Sequence, residues 1–189
     1  MQAAPSPHSP DSTPPATHHD HVTIMQGQAY VGTGKPEIVT TILGSCIACC
    51  LYDPVARIGG MNHFLLAEPA PDSGVVADAN YGAYLMELLI NQMMTSGALK
   101  SRMKAHIYGG ADMHRGMTQI GSANARFARQ FLATENIPLV RSDTGGECAR
   151  RVDFDPVRGR VRVRIVGRRD VPVERPSAPR PASGEVELF

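Results

Sequence analysis

The stretch TTILGSCIACCLYDPVARIGGMNHFLL, residues 40–66, decides how this chain is read. Ile47 to Tyr52 and Met61 to Leu66 are runs of apolar, β-prone residues. Between them, Asp53-Pro54-Val55-Ala56 has turn chemistry, with an Asp that can bond its own backbone and a Pro that presets the next φ. The stretch therefore predicts one tight β-hairpin. If Pro54 and Val55 form the loop, opposed residues have numbers summing to 109, which sets Cys46 opposite His63. Opposed Cβ atoms in a ladder lie ~5 Å apart, so a thiol and an imidazole could touch there. A loop two residues longer keeps both on one face as diagonal neighbours. A loop one residue longer sends His63 to the other face, because side chains alternate along a strand.

A thiol attacks as its thiolate, and an adjacent imidazole can take its proton and later return it to a leaving amine. Cys46 and His63 are thus the minimal kit for acyl transfer through a thioester. Gly44 and Ser45 precede the thiol, where a glycine lets the chain turn sharply and bring backbone N–H groups near a substrate oxygen. The N–H of Cys46 is the candidate donor. Thr40, Thr41, Ser45 and Asn62 are the nearby side chains that could orient the imidazole. Free cysteines are also common core filler, and Cys49 and Cys50 read as such. Cys46, Cys49, Cys50 and His63 lack the second well-spaced ligand pair of a structural zinc site, so no metal is expected. Gly32-Thr33-Gly34 and Gly109-Gly110 match no phosphate-loop pattern.

At 189 residues the chain fits one domain with ragged ends. The formal net charge of +1 gives no electrostatic argument for nucleic acid or an anionic membrane. The most apolar run, Tyr81 to Met94, contains Glu87, Asn91 and Gln92, and the first twenty residues lack a signal-peptide core. The expectation is a soluble, cytoplasmic protein. Its four cysteines form no even framework and read as reduced thiols. Residues 1–22, rich in Pro and His, read as a disordered leader, residues 23–170 as the single folded domain, and residues 171–189 as a flexible Pro-rich tail.

Within the domain, Gln28 to Gly32 and Glu37 to Leu43 predict strands ahead of the hairpin. Asn80 to Ser96 predicts a largely buried helix with Glu87, Asn91 and Thr95 as its polar stripe and Gly97 at its cap. Ala105 to Tyr108 predicts a strand. Gly121 to Glu135 predicts a second helix with Ala123, Phe127, Phe131 and Leu132 on one face. Pro138 to Arg141, Arg151 to Phe154 and Arg160 to Val166 predict further strands. In the last, Val161, Val163 and Ile165 point inward, and Gly159 closes its hairpin. Many strands with two main helices indicate an α/β fold with helices packed on mixed, largely antiparallel sheets. The arginines at 150, 151, 158, 160, 162, 164, 168 and 169 read as a solvated sheet edge that could help dock an acidic partner.

The segment GSCIACCLYDPVARIGGMNHFLL resembles the signature of the chemoreceptor glutamine deamidases, the CheD family of bacterial chemotaxis. The likeness continues through IYGGADM at 107–113, IGSAN at 120–124 and DTGG at 143–146, and covers residues from about 26 to 167. The resemblance implies a three-layer α/β sandwich related to a bacterial toxin deamidase fold. It implies Cys46 as nucleophile, His63 as base and Thr40, six positions before the nucleophile, as the third catalytic residue. Ser45, Gly44, Asn62, Gly109 and Gly110 become candidates for substrate or oxyanion contacts. The implied activity is that of a protein-glutamine glutaminase, converting selected glutamine side chains of methyl-accepting chemotaxis receptors to glutamate and ammonia without cofactor or metal. The implied partners are those receptors and, in some members, a chemotaxis phosphatase. A transferase that lets an amine capture the thioester, and a silent adaptor that regulates a phosphatase, are the competing readings.

Overall fold

The 40–66 stretch folds back on itself, with a wider loop than a two-residue turn. In this computed structural model, which describes residues 20–66, 79–112 and 120–167, β4 (Ile47–Asp53) pairs antiparallel with β5 (Ile58–Phe64). Asp53 pairs with Ile58, leaving residues 54–57 as the loop. The Asp53 carboxylate accepts the N–H groups of Val55 and Ala56 at 2.9 and 3.0 Å. Arg57 donates to the Asp53 carbonyl at 2.9 Å and adopts a left-handed φ of 58°. Opposed residues therefore sum to 111, and His63 faces Ala48 rather than Cys46. Cys46, one residue ahead of β4, is a same-face diagonal neighbour of His63.

The other carboxylate oxygen of Asp53 accepts from the Leu99 N–H and Arg102 Nε, both at 2.9 Å. Burial alone would raise this carboxyl's pKa, but the Arg102 bond and the backbone N–H groups outweigh it and hold the pKa at about 2. The turn is thereby bolted to the segment behind it.

The hairpin lies at the centre of a five-stranded sheet. β2 (Ala29–Thr33) flanks β5, and β6 (Lys104–Gly109) followed by β7 (Leu139–Thr144) flanks β4, giving the order β2-β5-β4-β6-β7. β1 (Asp20–Thr23), β3 (Glu37–Leu43), β8 (Ala149–Asp155) and β9 (Arg160–Val166) form a four-stranded sheet in the order β1-β3-β8-β9. The pairs β1·β3 and β6·β7 are parallel and the other pairs antiparallel, so both sheets are mixed.

Burial on both faces explains why β4 reads as a continuous apolar run instead of an alternating one. Ile47, Cys49 and Leu51 meet Leu85, Met86, Leu89 and Met93 of α1 (Ala79–Thr95) and Ala125, Ala128 and Leu132 of α2 (Ile120–Thr134). Cys46, Ala48 and Cys50 face the other way, toward Val39 and Leu43 of β3 and Val152 and Phe154 of β8. The protein is thus a mixed α/β fold in which two helices cover one face of the five-stranded sheet and the four-stranded sheet covers the other. Each fully buried Leu, Met or Phe contributes about 1.5–3 kcal/mol to holding these faces together.

Several sequence expectations are corrected. Asp20 to Val22, assigned to the leader, belong to β1, because they pair with Glu37 to Val39. The helix predicted to be largely buried exposes Tyr81, Tyr84 and Met94, since only one of its faces meets the sheet. Ala123 is exposed, and the buried face of α2 runs through Asn124, Ala125, Ala128 and Leu132 instead. Ile165 is exposed near the end of β9. Arg150 does not join the solvated edge but is buried. Gly97 does end α1, at a φ of 104°, with its N–H on the Met94 carbonyl. Residues 1–19 and 168–189, with Arg168, Arg169 and the whole C-terminal tail, lie outside the described residues. No helix among the described residues is long and apolar enough to cross a membrane.

Candidate active site

Cys46 closes the loop between β3 and β4, and the carbonyls of that loop are pinned one after another. The Gly44 carbonyl accepts from the Ala111 N–H at 2.9 Å and the Cys46 carbonyl from the Gly110 N–H at 2.7 Å. Between them, the Ser45 carbonyl accepts from Asn124 Nδ2 at 2.9 Å, while Asn124 Oδ1 takes the Leu66 N–H at 2.8 Å. Asn124 is fully buried, so one amide ties α2 to the Cys46 loop and to the end of the hairpin. Gly109 has a φ of 107°, and a Cβ there would sit 2.1 Å from the Cys46 carbonyl oxygen. No residue with a side chain fits. Buried Arg150 donates to the carbonyls of Gly109, Asp143 and Gly145 at 2.8, 2.8 and 2.6 Å, fastening two glycine loops together.

The Cys46 side chain is 0% exposed, and its Sγ donates to Gln26 Oε1 at 3.6 Å. His63 is also buried. Its Nδ1 lies 2.8 Å from Thr41 Oγ1, and the same hydroxyl lies 2.9 Å from the Ile24 carbonyl. A carbonyl only accepts, so the single hydroxyl hydrogen of Thr41 goes to Ile24. The imidazole must then donate from Nδ1, which leaves its base lone pair on Nε2. Thr41 reaches His63 from the other sheet, across the space between the two. Burial holds the His63 pKa down to about 4, so the imidazole is neutral at ordinary pH. The backbone is fixed as well, with the His63 N–H on the Gln28 carbonyl at 3.0 Å and the Gly27 N–H on the His63 carbonyl at 2.8 Å.

The structure brings some of the predicted site residues together and separates others. Cys46 and His63 share a face. Of the four candidates to orient the imidazole, Thr41 makes the bond. Thr40, the residue the resemblance implies, points the opposite way and bonds Asp153 and Arg151, because adjacent residues on β3 alternate. Asn62 is also turned away. It accepts the Cys49 N–H at 3.0 Å and donates to the Leu85 carbonyl at 3.1 Å, stitching the hairpin to α1. Gly109 and Gly110 brace the Cys46 backbone, and the Gly110 N–H already bonds Cys46, so it is not an oxyanion donor. Gly44 and Ser45 stay in the Cys46 loop, each with its carbonyl engaged. Cys49 and Cys50 lie in the two cores, where burial pushes the Cys49 thiol up to about 12 and Cys50 well above its ordinary value. Sequence reasoning gave no site role to Gln26, to Asn124 within IGSAN, or to Arg150, which it placed on a solvated edge. A lone amide on the apolar face of α2 was the available signal for Asn124. Gln26 and Arg150 carried none.

The pieces IYGGAD, at 107–112, and IGSAN, distant along the chain, therefore bond the Cys46 loop directly, and DTGG reaches it through Gly109 and Arg150. Comparison with known proteins bears on the same residues. The family profile described as CheD chemotactic sensory transduction matches residues 65–165. A protein of Caulobacter sp. (strain K31), named "Probable chemoreceptor glutamine deamidase CheD", is 47% identical over 191 residues, covering 96% of this chain and 97% of its own. The chain belongs to the CheD family. A second relative of that name, from Zymomonas mobilis subsp. mobilis, is 49% identical and covers 89% of this chain and 92% of its own. The CheD profile begins just past His63, whereas the Caulobacter relative spans the whole hairpin. Among solved structures, the Bacillus licheniformis hypothetical protein YfiH matches with a TM-score of 0.42 and 13% identity, covering 63% of this chain and 51% of its own. Neisseria meningitidis NMB0706, of the DUF152 family, matches with the same score and identity over 64% of this chain and 54% of its own.

Proposed function

We propose that this chain is a cysteine-dependent protein-glutamine deamidase that hydrolyses selected glutamine side chains of methyl-accepting chemotaxis receptors to glutamate and ammonia. The observation that carries the reading is the diagonal Cys46–His63 pair, with the imidazole held by Thr41 in the tautomer that leaves Nε2 as base. Cys46 Sγ attacks the amide carbon as His63 Nε2 takes the thiol proton. His63 returns that proton to the departing ammonia, then draws a proton from water as the water opens the thioester. The substrate oxygen is assigned to the backbone N–H of Cys46. Thr41 replaces Thr40 as the residue positioning the imidazole. The stacking of helices, five-stranded sheet and four-stranded sheet supports reading the fold as a three-layer sandwich of the toxin-deamidase kind. Residues 20–167 form the catalytic unit, acting on receptors from the cytoplasmic side without metal or cofactor.

Each event turns a neutral amide into a carboxylate, so it adds a negative charge and a methylatable group to the receptor. The test is mass spectrometry of a receptor cytoplasmic fragment incubated with the full chain. The amide-to-acid mass gain should appear at defined glutamines with wild type and be absent with Cys46→Ala at unchanged circular dichroism. Mass gain from a folded Cys46→Ala variant would overturn the nucleophile assignment. Added amine appearing in the product would replace the hydrolase with a transferase.

A further inference from the structure

The proposed nucleophile is closed to solvent, yet the side chain bonded to it is only half-buried. That side chain, Gln26, carries the same functional group as the proposed substrate. It projects from a turn in which the Gln28 N–H bonds the Met25 carbonyl at 3.1 Å, the Met25 N–H bonds Gln28 Oε1 at 2.8 Å, and Gly27 takes a φ of 84°. The same turn is fixed to His63 by the two backbone bonds described above, Gly27 N–H to the His63 carbonyl and His63 N–H to the Gln28 carbonyl. One short segment thus holds a primary carboxamide against the sulfur while gripping the backbone of the base.

We infer that Gln26 is an internal stand-in for the substrate: its carboxamide occupies the place of the receptor glutamine and must swing out before that glutamine can reach Cys46. The inference rests on the deamidase reading for the identity of the substrate, but the occupancy itself is independent of turnover. With Gln26 in place, the thiol donates to Oε1. An arriving glutamine displaces that acceptor, and the proton becomes available to Nε2. Activation of the nucleophile is thereby coupled to arrival of the substrate, and the thiol is guarded from small reagents in between.

The test is the rate at which iodoacetamide alkylates each cysteine of the full-length chain, followed by peptide mass spectrometry. Exposed Cys148 serves as an internal standard for reagent, and buried Cys49 and Cys50 report on integrity of the fold. Removing a cover held by one ordinary hydrogen bond should raise the Cys46 rate by about fivefold in Gln26→Ala, with Cys148 unchanged and Cys49 and Cys50 still protected. An unchanged or slower Cys46 rate in that folded variant would overturn the proposal. Should Gln26→Ala lose protection at Cys49 and Cys50, Gln26→Met, which keeps the bulk without the carboxamide, decides in its place. A faster Cys46 rate in Gln26→Met supports the stand-in, and an unchanged one overturns it. Kinetics on a receptor fragment give a second arm, in which KM falls for Gln26→Ala because an internal competitor is gone; a risen KM contradicts the stand-in. If no receptor fragment is turned over by wild type, the deamidase reading fails, and the alkylation result still decides the occupancy.

Discussion

Replacing Thr41 by Val separates two adjacent hydroxyls that the sequence alone cannot rank. The substitution preserves shape and removes one oxygen, which bonds His63 Nδ1 at 2.8 Å and the Ile24 carbonyl at 2.9 Å. Both partners are left in a buried space, and each unsatisfied buried group costs about 1–3 kcal/mol. Thr41→Val should therefore destabilise the fold by about 2–4 kcal/mol, seen in thermal or urea unfolding. Turnover suffers by a separate route, because the imidazole loses the bond that fixes both its plane and its tautomer. An orienting bond of about 1–2 kcal/mol corresponds to a fall in kcat/KM of roughly five- to thirtyfold, measured by ammonia release from a receptor fragment. Thr41→Ser, which returns the hydroxyl, should restore most of it. Thr40→Val removes only a partner of Asp153 and Arg151 on the opposite face, and kcat/KM should stay within about twofold. Full activity in Thr41→Val together with a collapse in Thr40→Val would refute the tautomer reasoning and return the role to Thr40.

Three further outcomes follow from the same geometry. The folded imidazole of His63 gives up its proton near pH 4 and the unfolded one near 6.5, so between these values the unfolded chain holds the extra proton. Stability should be unaffected by His63 above about pH 6.5 and fall by about 3 kcal/mol as pH drops to about 4; urea titrations of wild type and His63→Asn should differ in that slope, and equal slopes would contradict it. The acid limb of kcat/KM should likewise lie near pH 4 to 5, not near 6.5, because the working base is the neutral ring. Gly109→Ala forces a Cβ onto the Cys46 carbonyl at a left-handed φ, and should reduce deamidation at least about a hundredfold even where circular dichroism shows a folded chain. Asp53→Ala leaves the Arg102 guanidinium and several backbone N–H groups without their partner, and should lower stability by about 3 kcal/mol in a thermal melt.

The parts of this molecule legible in the sequence are those written in local chemistry. The Asp53-Pro54 turn, the apolar run from Ile47 and the Gly97 cap each carry their own signal, and the strand and helix positions follow from them. The hairpin's face assignment was legible only up to the loop length. Asp53 can bond its own backbone in a two- or a four-residue loop, and the left-handed Arg57 that selects the longer one leaves no mark in residue type. The choice between Thr40 and Thr41 was hidden for a different reason. It depends on which face of β3 meets the other sheet, a matter of long-range packing. Gln26 and Arg150 act through contacts to residues twenty and forty-one positions away, and no periodicity records such distances.

Every reacting atom of the proposed chemistry belongs to residues before 66, yet the clamp on the sulfur-bearing loop is supplied from beyond 108. Arg150, on an inner strand of one sheet, grips turns that follow strands of the other, and so carries the register between the sheets into the alignment of the thiol. A fragment ending at residue 112 would keep both proposed reacting side chains and the Gly110 and Ala111 bonds to their loop, but lose the Asn124 and Arg150 braces. The N-terminal third is the blade here and the C-terminal half is the handle that keeps its edge in line.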